Sequence, residues 1–599
     1  MIFVNKHRAI YRNRRPVILA LLVVGFTALI NTRLSGPMFR FRAVGATRFV
    51  GDQIQEEPAA TGTTLTYNSG SSVKVQQIIG DCDWAVKAVN GTCQETASRT
   101  ITNANIAAND IGSSFEQNGT LVFMFGDTKS NDPSQSWSTS SLPFVDYHQH
   151  DPIGTTTATD GDAPLAIDFL LTSAPGAAVP TPFFVQPTYP DGTKVPMGGD
   201  DVPHAGLVFN GKTYIVINSG ADFSLDNPHQ NSYSVLATWD GTADANAFTA
   251  LRTISKLPGG HFVINSVHEL NTSDAGGSQT MQGILTYGIG ETRASNIYLA
   301  FDFGVPNDPA FAGDPAYESG GATKYFTGLT NGQPNWSSNE SDAVPVVTDV
   351  VTPPTVAHLS VTYQKSLGLW LMTFDGGRGQ QADGTPTNGS PATDGVYFTY
   401  APAPWGPWAQ PQLIFNATRD NGFGVFMHQD TSPEGPIGPT AGQNDPNTTN
   451  GRIYAPNMIE RFTKLKGITL SIYYAMSTWN PYTVVEMRSD FNVVLPPDFS
   501  LGFDQPQVVG LPPGKVPVTL KINRTGGFTG NVTVAPATET SLLPPGIRFP
   551  GFPASTTADN LSFKIKLKGR VPSGKYPIVF AGKDDSGRER DTTLLLVVP

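Results

Sequence analysis

Short β-type runs, each cut off by Gly, Pro, Asn or Asp, recur along most of this 599-residue chain and constrain its fold more than any other feature. They include Thr120 to Phe125 (TLVFMF), Lys212 to Ile217, Gln282 to Tyr287, Asn296 to Phe301, Leu367 to Phe374 (LGLWLMTF) and Val396 to Tyr400. Long amphipathic helical patterns are missing. Gly (61) and Pro (49) are both abundant and only 15% of residues are charged, a profile that suits a turn-rich, all-β extracellular protein. The loosely repeated unit is a strand, a small-residue turn, and a strand with a polar or aromatic tip. About 400 residues of such units exceed one ordinary sandwich. Radial repetition at roughly four strands per blade removes the edge-strand problem, and five blades of about 75–80 residues fit the length. The expectation is a five-bladed β-propeller over residues 76–494.

The two ends read differently. Residues 1–51 hold nine Lys/Arg and no Asp or Glu, and Val17 to Ile30 is a predominantly apolar run of 14 residues. That is short for a membrane span and suits a signal peptide core, so residues 1–31 read as a signal peptide or a signal anchor. Both readings place the body outside the cytoplasm, secreted or at the cell surface, with membrane anchoring possible through this segment. Residues 32–75 read as a flexible linker. Cys82 and Cys93, the chain's two cysteines, are expected to form a disulfide. From Leu495 the sequence LPPDF reads as a linker. Residues 498–599 then carry short alternating runs separated by Gly-Gly, Pro-Pro-Gly and Pro-Ser-Gly clusters, the pattern of a β-sandwich. Its wording, NRTGGFTGNVTV and VPSGKYPIVFAG, resembles bacterial immunoglobulin-like repeats appended to exported enzymes, which implies a spacer or a sugar-binding accessory.

Beyond residue 51 the chain carries 30 basic against 50 acidic residues. An acidic body argues against nucleic acid, which needs basic patches to meet phosphates. Nucleotide-binding loops, the GxSxG elbow and HExxH are all absent, and no cofactor or metal is expected. The chain is expected to act as a monomer on a polysaccharide.

Several motifs occur in a fixed order: FGDT (Phe125 to Thr128), NIYLAF, YFTGLTNGQPNWS (Tyr325 to Ser337), HLSVTYQKSLGLWLMTF (His358 to Phe374), APAPWGPWAQPQLIF, YAPNMIERF (Tyr454 to Phe462) and STWNPYTVVEMR (Ser477 to Arg488). Over about residues 95–490 they resemble the exported domain of unknown function that contains the bacterial endo-D-arabinanases. The resemblance implies a five-bladed propeller and a glycosidase acting on a furanoside polysaccharide such as arabinan or arabinogalactan. A non-catalytic, lectin-like or adhesion propeller is the competing reading.

Glycoside hydrolysis generally needs two carboxyl groups flanking the scissile bond. Asp127 ends an apolar strand directly after Gly126. Asp110 lies 17 residues earlier, before the turn Gln117-Asn118-Gly119. Two antiparallel strands around that turn bring both carboxyls to one face, and the resemblance implies the same pair as catalytic. The plain alternative for Asp127 is a turn aspartate bonding the backbone. His358, before an apolar strand, and His428, after another, are candidates to bond sugar hydroxyls, or else core histidines. Arg293, at a turn, is a candidate to position a hydroxyl, or else solvated. The hairpin around Trp479, Asn480 and Tyr482 reads as an aromatic wall suited to stacking on a sugar, or as packing. Asp200, Asp201 and His204 read as solvated loop groups, or else as a substrate- or ion-binding loop, and the cluster Tyr147 to Asp151, metal-like in composition, reads as surface.

Overall fold

The computed structural model describes residues 62–85, 91–130, 151–172, 181–197, 201–219, 233–271, 281–303, 315–377, 393–427, 451–479, 481–538 and 543–599. The expected export segment 1–31, His428 and Asn480 lie outside them. Among the described residues no helix is long and apolar enough to cross a membrane.

The fold is all-β. Two strands near the N-terminus, β1 (Thr64–Tyr67) and β2 (Val73–Gln77), precede five antiparallel sheets. The first sheet is β3 (Ile106–Gln117), β4 (Thr120–Ser130), β5 (Ile153–Thr156) and β6 (Asp168–Phe169). The second is β7 (Pro203–Phe209), β8 (Lys212–Ser219), β9 (Tyr233–Trp239) and β10 (Phe248–Lys256). The third is β11 (Ile264–Leu270), β12 (Gly283–Ile289), β13 (Tyr298–Phe303), β14 (Thr323–Thr330) and β15 (Gln333–Ser337). The fourth is β16 (Leu359–Gln364), β17 (Leu369–Gly376), β18 (Gly395–Ala401) and β19 (Gln412–Phe415). The fifth is built on β20 (Ile453–Met458), β21 (Lys464–Lys466), β22 (Thr469–Thr478) and β23 (Thr483–Val494).

The first strands of successive sheets adjoin in a closed cycle: β3 to β7, β7 to β11, β11 to β16, β16 to β20, and β20 back to β3. Side chains stitch the neighbours together. The Ser266 hydroxyl accepts from the Val361 amide and the Ser360 hydroxyl from the Met458 amide, both at 3.0 Å, while Asn457 donates to the Ile111 carbonyl at 3.0 Å. An axial cavity of about 190 Å³ lies inside the cycle, lined among others by Ser113, His204, Ser266, Ser360 and Asn457.

Apolar layers fill the spaces between consecutive sheets. Phe115 and Met124 meet Ile215 and Val235; Tyr214 and Val216 meet Ile284; Tyr287 and Phe301 meet Trp370 and Phe374; Leu371 and Phe398 meet Tyr474 and Met487; Tyr473 and Val484 meet Phe123 and Phe125. Second strands are therefore buried on both faces, which is why TLVFMF and LGLWLMTF are apolar without alternation. Burial of such side chains is the dominant favourable contribution to folding, about 1.5–3 kcal/mol each.

The N-terminal strands correct one expectation. From Thr64 onward the stretch expected to be a flexible linker is ordered: β1 pairs with β23 from Thr64↔Val494 to Tyr67↔Phe491, and β2 pairs with β23 beyond it. The long β23 would otherwise present an unpaired edge. Alternation in TLTY was the available signal, with Leu65 buried and its neighbours exposed. Gln412 of β19 accepts from the Tyr67 amide and donates to the Leu65 carbonyl, tying the closing strand to the fourth sheet. Leu65→Ala is expected to cost about 3 kcal/mol, read as a lower thermal midpoint, because it leaves a cavity where the ring closes. Cys82 and Cys93 form the expected disulfide, with Cα atoms 5.1 Å apart. Replacing both by Ser should cost about 2–3 kcal/mol, also read by thermal unfolding.

After Pro497 the chain forms two further sheets. One has the order β24 (Asp498–Phe503), β26 (Gly514–Thr525), β30 (Asn560–Leu567), β28 (Ile547–Arg548). The other has the order β25 (Gln507–Val509), β32 (Glu589–Val598), β31 (Gly574–Asp584), β27 (Val532–Pro536), β29 (Ala554–Thr556). Phe499, Val518, Leu520, Ile565, Phe580 and Leu596 form one core between them. Phe499 belongs to this core, so the connecting segment is shorter than LPPDF.

Candidate functional site

At one end of the ring the first strands begin and the second strands finish, and polar side chains gather there. Asp110, early in β3, stands opposite Gly126 in the register, so Asp127 follows on the neighbouring strand. Only glycine fits at position 126, because a Cβ there would meet Val202 Cγ1 at 2.2 Å and Asp110 Oδ1 at 2.8 Å. Asp110 is 5% and Asp127 7% exposed. The hydroxyls of Tyr454, which opens β20, and Tyr482, which opens the return of the β22–β23 hairpin, both donate to Asp110 Oδ2 at 2.8 Å. Among the described residues nothing hydrogen-bonds Asp110 Oδ1, which is buried. The Asp127 amide donates to Asp151 Oδ1 at 3.1 Å.

The backbone here is strained. Ile111, Asp127 and Ala455 have φ of 68°, 43° and 50°, a left-handed conformation that costs non-glycine residues of order 1 kcal/mol each. Register shifts between Ala108 and Asp110, and between Ile111 and Ser113, bend β3 on either side of Asp110. Local bulges of this type re-aim side chains.

Electrostatics follow from burial and crowding. Burial, then the neighbouring Asp127, push the Asp110 carboxyl up to about 8, while the two tyrosine hydrogen bonds and His358 pull the other way. Burial likewise holds the Asp151 carboxyl well above its ordinary value, with Asp127, Asp110 and Asp201 adding to the shift. His204 is held well below the ordinary histidine value by burial and by His358. Burial lowers the Lys129 ammonium to about 7; its Nζ lies 5.6 Å from the centre of the Tyr482 ring. Groups of perturbed protonation concentrated in one place are what general acid–base chemistry requires.

The expected residues divide. Asp110 and Asp127 come together. His358 joins them: its ring lies 5.9 Å from that of Tyr454 and 5.4 Å from that of His204, with Nδ1 3.5 Å from Asp375 Oδ1. Tyr482 is present in a different capacity. At 1% exposure it offers no ring face to a sugar; its hydroxyl holds Asp110 instead. Trp479 packs edge-on against Tyr482 at 5.7 Å and is part-buried. Arg293 sits on the third sheet, in the turn between β12 and β13, with φ of 60° and its amide bonded to the Val356 carbonyl at 3.0 Å.

Two loop readings are corrected where the structure describes them; Asp200 and Tyr147 to His150 lie outside the described residues. Asp201 is 2%, His204 7% and Asp151 1% exposed, so none of the three is a solvated surface group. Each lies at or just before the start of a strand, the position His358 also occupies. That shared placement was the sequence signal for them and for Tyr454. Asp375 ends the apolar run of β17 beside Gly376, the same local signal that marked Asp127, and was overlooked; Lys129, next to the end of β4, carried none. Among the described residues no group of three or more His, Cys, Asp or Glu is arranged to hold a metal ion.

Solved structures with related shape include a glycoside hydrolase family 43 arabinoxylan arabinofuranohydrolase from Bacillus subtilis, 10% identical, covering 84% of this chain and 96% of that one, with a TM-score of 0.27. The polysaccharide lyase Uly1 is 11% identical, with 65% and 78% covered and a TM-score of 0.26. The fibronectin(III)-like modules of Clostridium thermocellum CbhA are 14% identical, with 22% and 62% covered and a TM-score of 0.13. At such scores these likenesses carry no functional argument. No curated protein matches the chain. Residues 95–488, more than half of the chain and all of the strands that carry Asp110, Asp127, His358 and Tyr454, match the family described as Domain of unknown function (DUF4185), and the chain belongs to that family.

Proposed function

We propose that the protein is an exported glycoside hydrolase that cleaves a furanoside polysaccharide, in the manner of the endo-D-arabinanases its motifs resemble. In this reading the ring over residues 76–494 is a five-bladed β-propeller, and residues 498–599 are an immunoglobulin-like sandwich. Five sheets whose first strands adjoin in a closed cycle support the first assignment. Two sheets around one core support the second. The disulfide supports an oxidising environment outside the cytoplasm.

The observation that carries the reading is the state of Asp110: a buried carboxyl pushed up to about 8, beside a second aspartate and held by two tyrosine hydroxyls. At neutral pH Asp110 keeps its proton and serves as the general acid, giving that proton to the glycosidic oxygen as the bond breaks. Asp127 acts at the anomeric carbon, directly or through water. Proton transfer leaves a carboxylate on Asp110, and the Tyr454 and Tyr482 hydroxyls bond that anion more strongly than the neutral acid. Their stabilisation therefore grows along the reaction, which is what accelerates a step. His358 and His204 line the same site and are suited to bonding hydroxyls of the sugar.

Activity should fall as pH rises through about 8, when Asp110 loses its proton. A pH profile of reducing-end release from arabinan checks this. A profile flat across that range would remove Asp110 from the acid role.

A further inference from the structure

The C-terminal sandwich differs in charge from the ring. Residues 498–599 hold 12 Lys/Arg against 8 Asp/Glu, whereas residues 52–497 hold 18 against 42. The excess is concentrated on one outer face. In the β24–β26–β30–β28 sheet the inward positions, Val516, Val518, Leu520 and Ile565, form the core, and the alternate positions face out. Lys515 stands directly opposite Lys566, and Lys566 directly opposite Arg548. Three cations thus lie in one row across three strands. Lys564 faces out one step along β30, and Lys568 and Arg570 follow it, all exposed.

Like charges placed directly opposite in a sheet destabilise it. Among the described residues the ion pairs of this unit use Lys521, Arg524, Arg588 and Arg590, and none involves the row. Within the described residues the row is therefore neither paired nor dispersed. We propose that it binds a linear anionic glycan, one bearing phosphate or carboxylate groups along its length. Strands lie about 4.8 Å apart, so the row spans about 10 Å, with Lys564 a further ~7 Å along β30, a flat track matching charges spaced along a polymer. Outward neighbours are Pro517, Thr519, Asn560 and Ser562, so β26, β28 and β30 offer no large apolar side chain to enter a bilayer. The acidic ring repels the same polymer, which leaves the candidate site clear while the sandwich holds on. This inference does not depend on the chemistry assigned to Asp110.

The test uses the full chain, with polygalacturonate and phosphorylated dextran as probes, neutral dextran as control, and vesicles of phosphatidylglycerol and phosphatidylcholine. Lys515→Glu/Lys564→Glu/Lys566→Glu is compared with wild type, and Lys515→Gln/Lys564→Gln/Lys566→Gln checks that loss of charge rather than a folding defect is responsible. The expected result is binding to the anionic glycans that weakens with added salt and falls at least tenfold in both triple variants, with melting midpoints unchanged. Binding no stronger than to neutral dextran, or equal in wild type and variants, would overturn the proposal. So would retention by the vesicles alone, or self-association lost in the variants, which would make the acidic ring of a second copy the occupant.

Discussion

Asp110→Asn should lower the release of reducing ends from arabinan by on the order of 10³-fold, within the range that a positioned general acid contributes. Its stability should move the opposite way. The unfolded chain gives up this proton near the ordinary value of 3.8, whereas the folded chain keeps it up to about 8. A raised folded value means the carboxyl's stabilising contribution is complete below the lower figure and is lost as pH climbs to the upper one. Wild-type stability should therefore decline between about 4 and about 8 in part through this one group. Asn has the shape of the protonated acid and never ionises, so the variant should lose that component of the decline and be more stable than wild type at pH 8, by on the order of 5 kcal/mol. A variant that is inactive and also less stable at pH 8 would show that Asp110 is a structural group rather than a strained functional one.

Tyr454→Phe and Tyr482→Phe carry the second large effect. Each hydroxyl donates to the same oxygen of Asp110, and a hydrogen bond to a charged group is worth about 1.5–3 kcal/mol. Either change alone should lower kcat about tenfold or somewhat more, and both together about 10²-fold or beyond. Because these bonds favour the carboxylate, their loss should also move the alkaline limb of the pH profile upward. KM should change little, since both rings are buried and neither offers a face to the sugar. A double variant that changes KM alone would instead make the tyrosines a binding wall.

These effects bear on what the sequence disclosed. Apolar runs such as TLVFMF announced strands because both faces of a second strand are buried between sheets, and the repeated strand–turn–strand unit announced a multi-sheet all-β fold. Asp127 after Gly126 was legible for a local reason: an acidic residue ending an apolar strand, beside a glycine that the site requires. Tyr454 was not legible as a partner of Asp110, because 344 residues separate them and only closure of the ring brings β20 beside β3. Tyr482 misled for a related reason. Its surroundings, STWNPY, describe an exposed aromatic turn equally well, and the return of the chain toward β3 buries it. Asp151, Asp201 and His204 looked like loop charges because their flanks are rich in Gly, Pro and Thr; their burial comes from packing against other sheets. The ordered part of residues 32–75 was hidden because its partner strand, β23, lies more than 400 residues downstream.

The central claim is that Asp110 and Asp127 cleave a glycosidic bond by hydrolysis. It is tested most directly by incubating D-arabinan with wild type, Asp110→Asn and Asp127→Asn, and analysing the products. The account predicts shortened oligosaccharides with saturated, reducing ends from wild type, and almost none from either variant, with binding of arabinan retained in both. Equal product release by wild type and the two variants, or bound but uncleaved arabinan in all three, would contradict it.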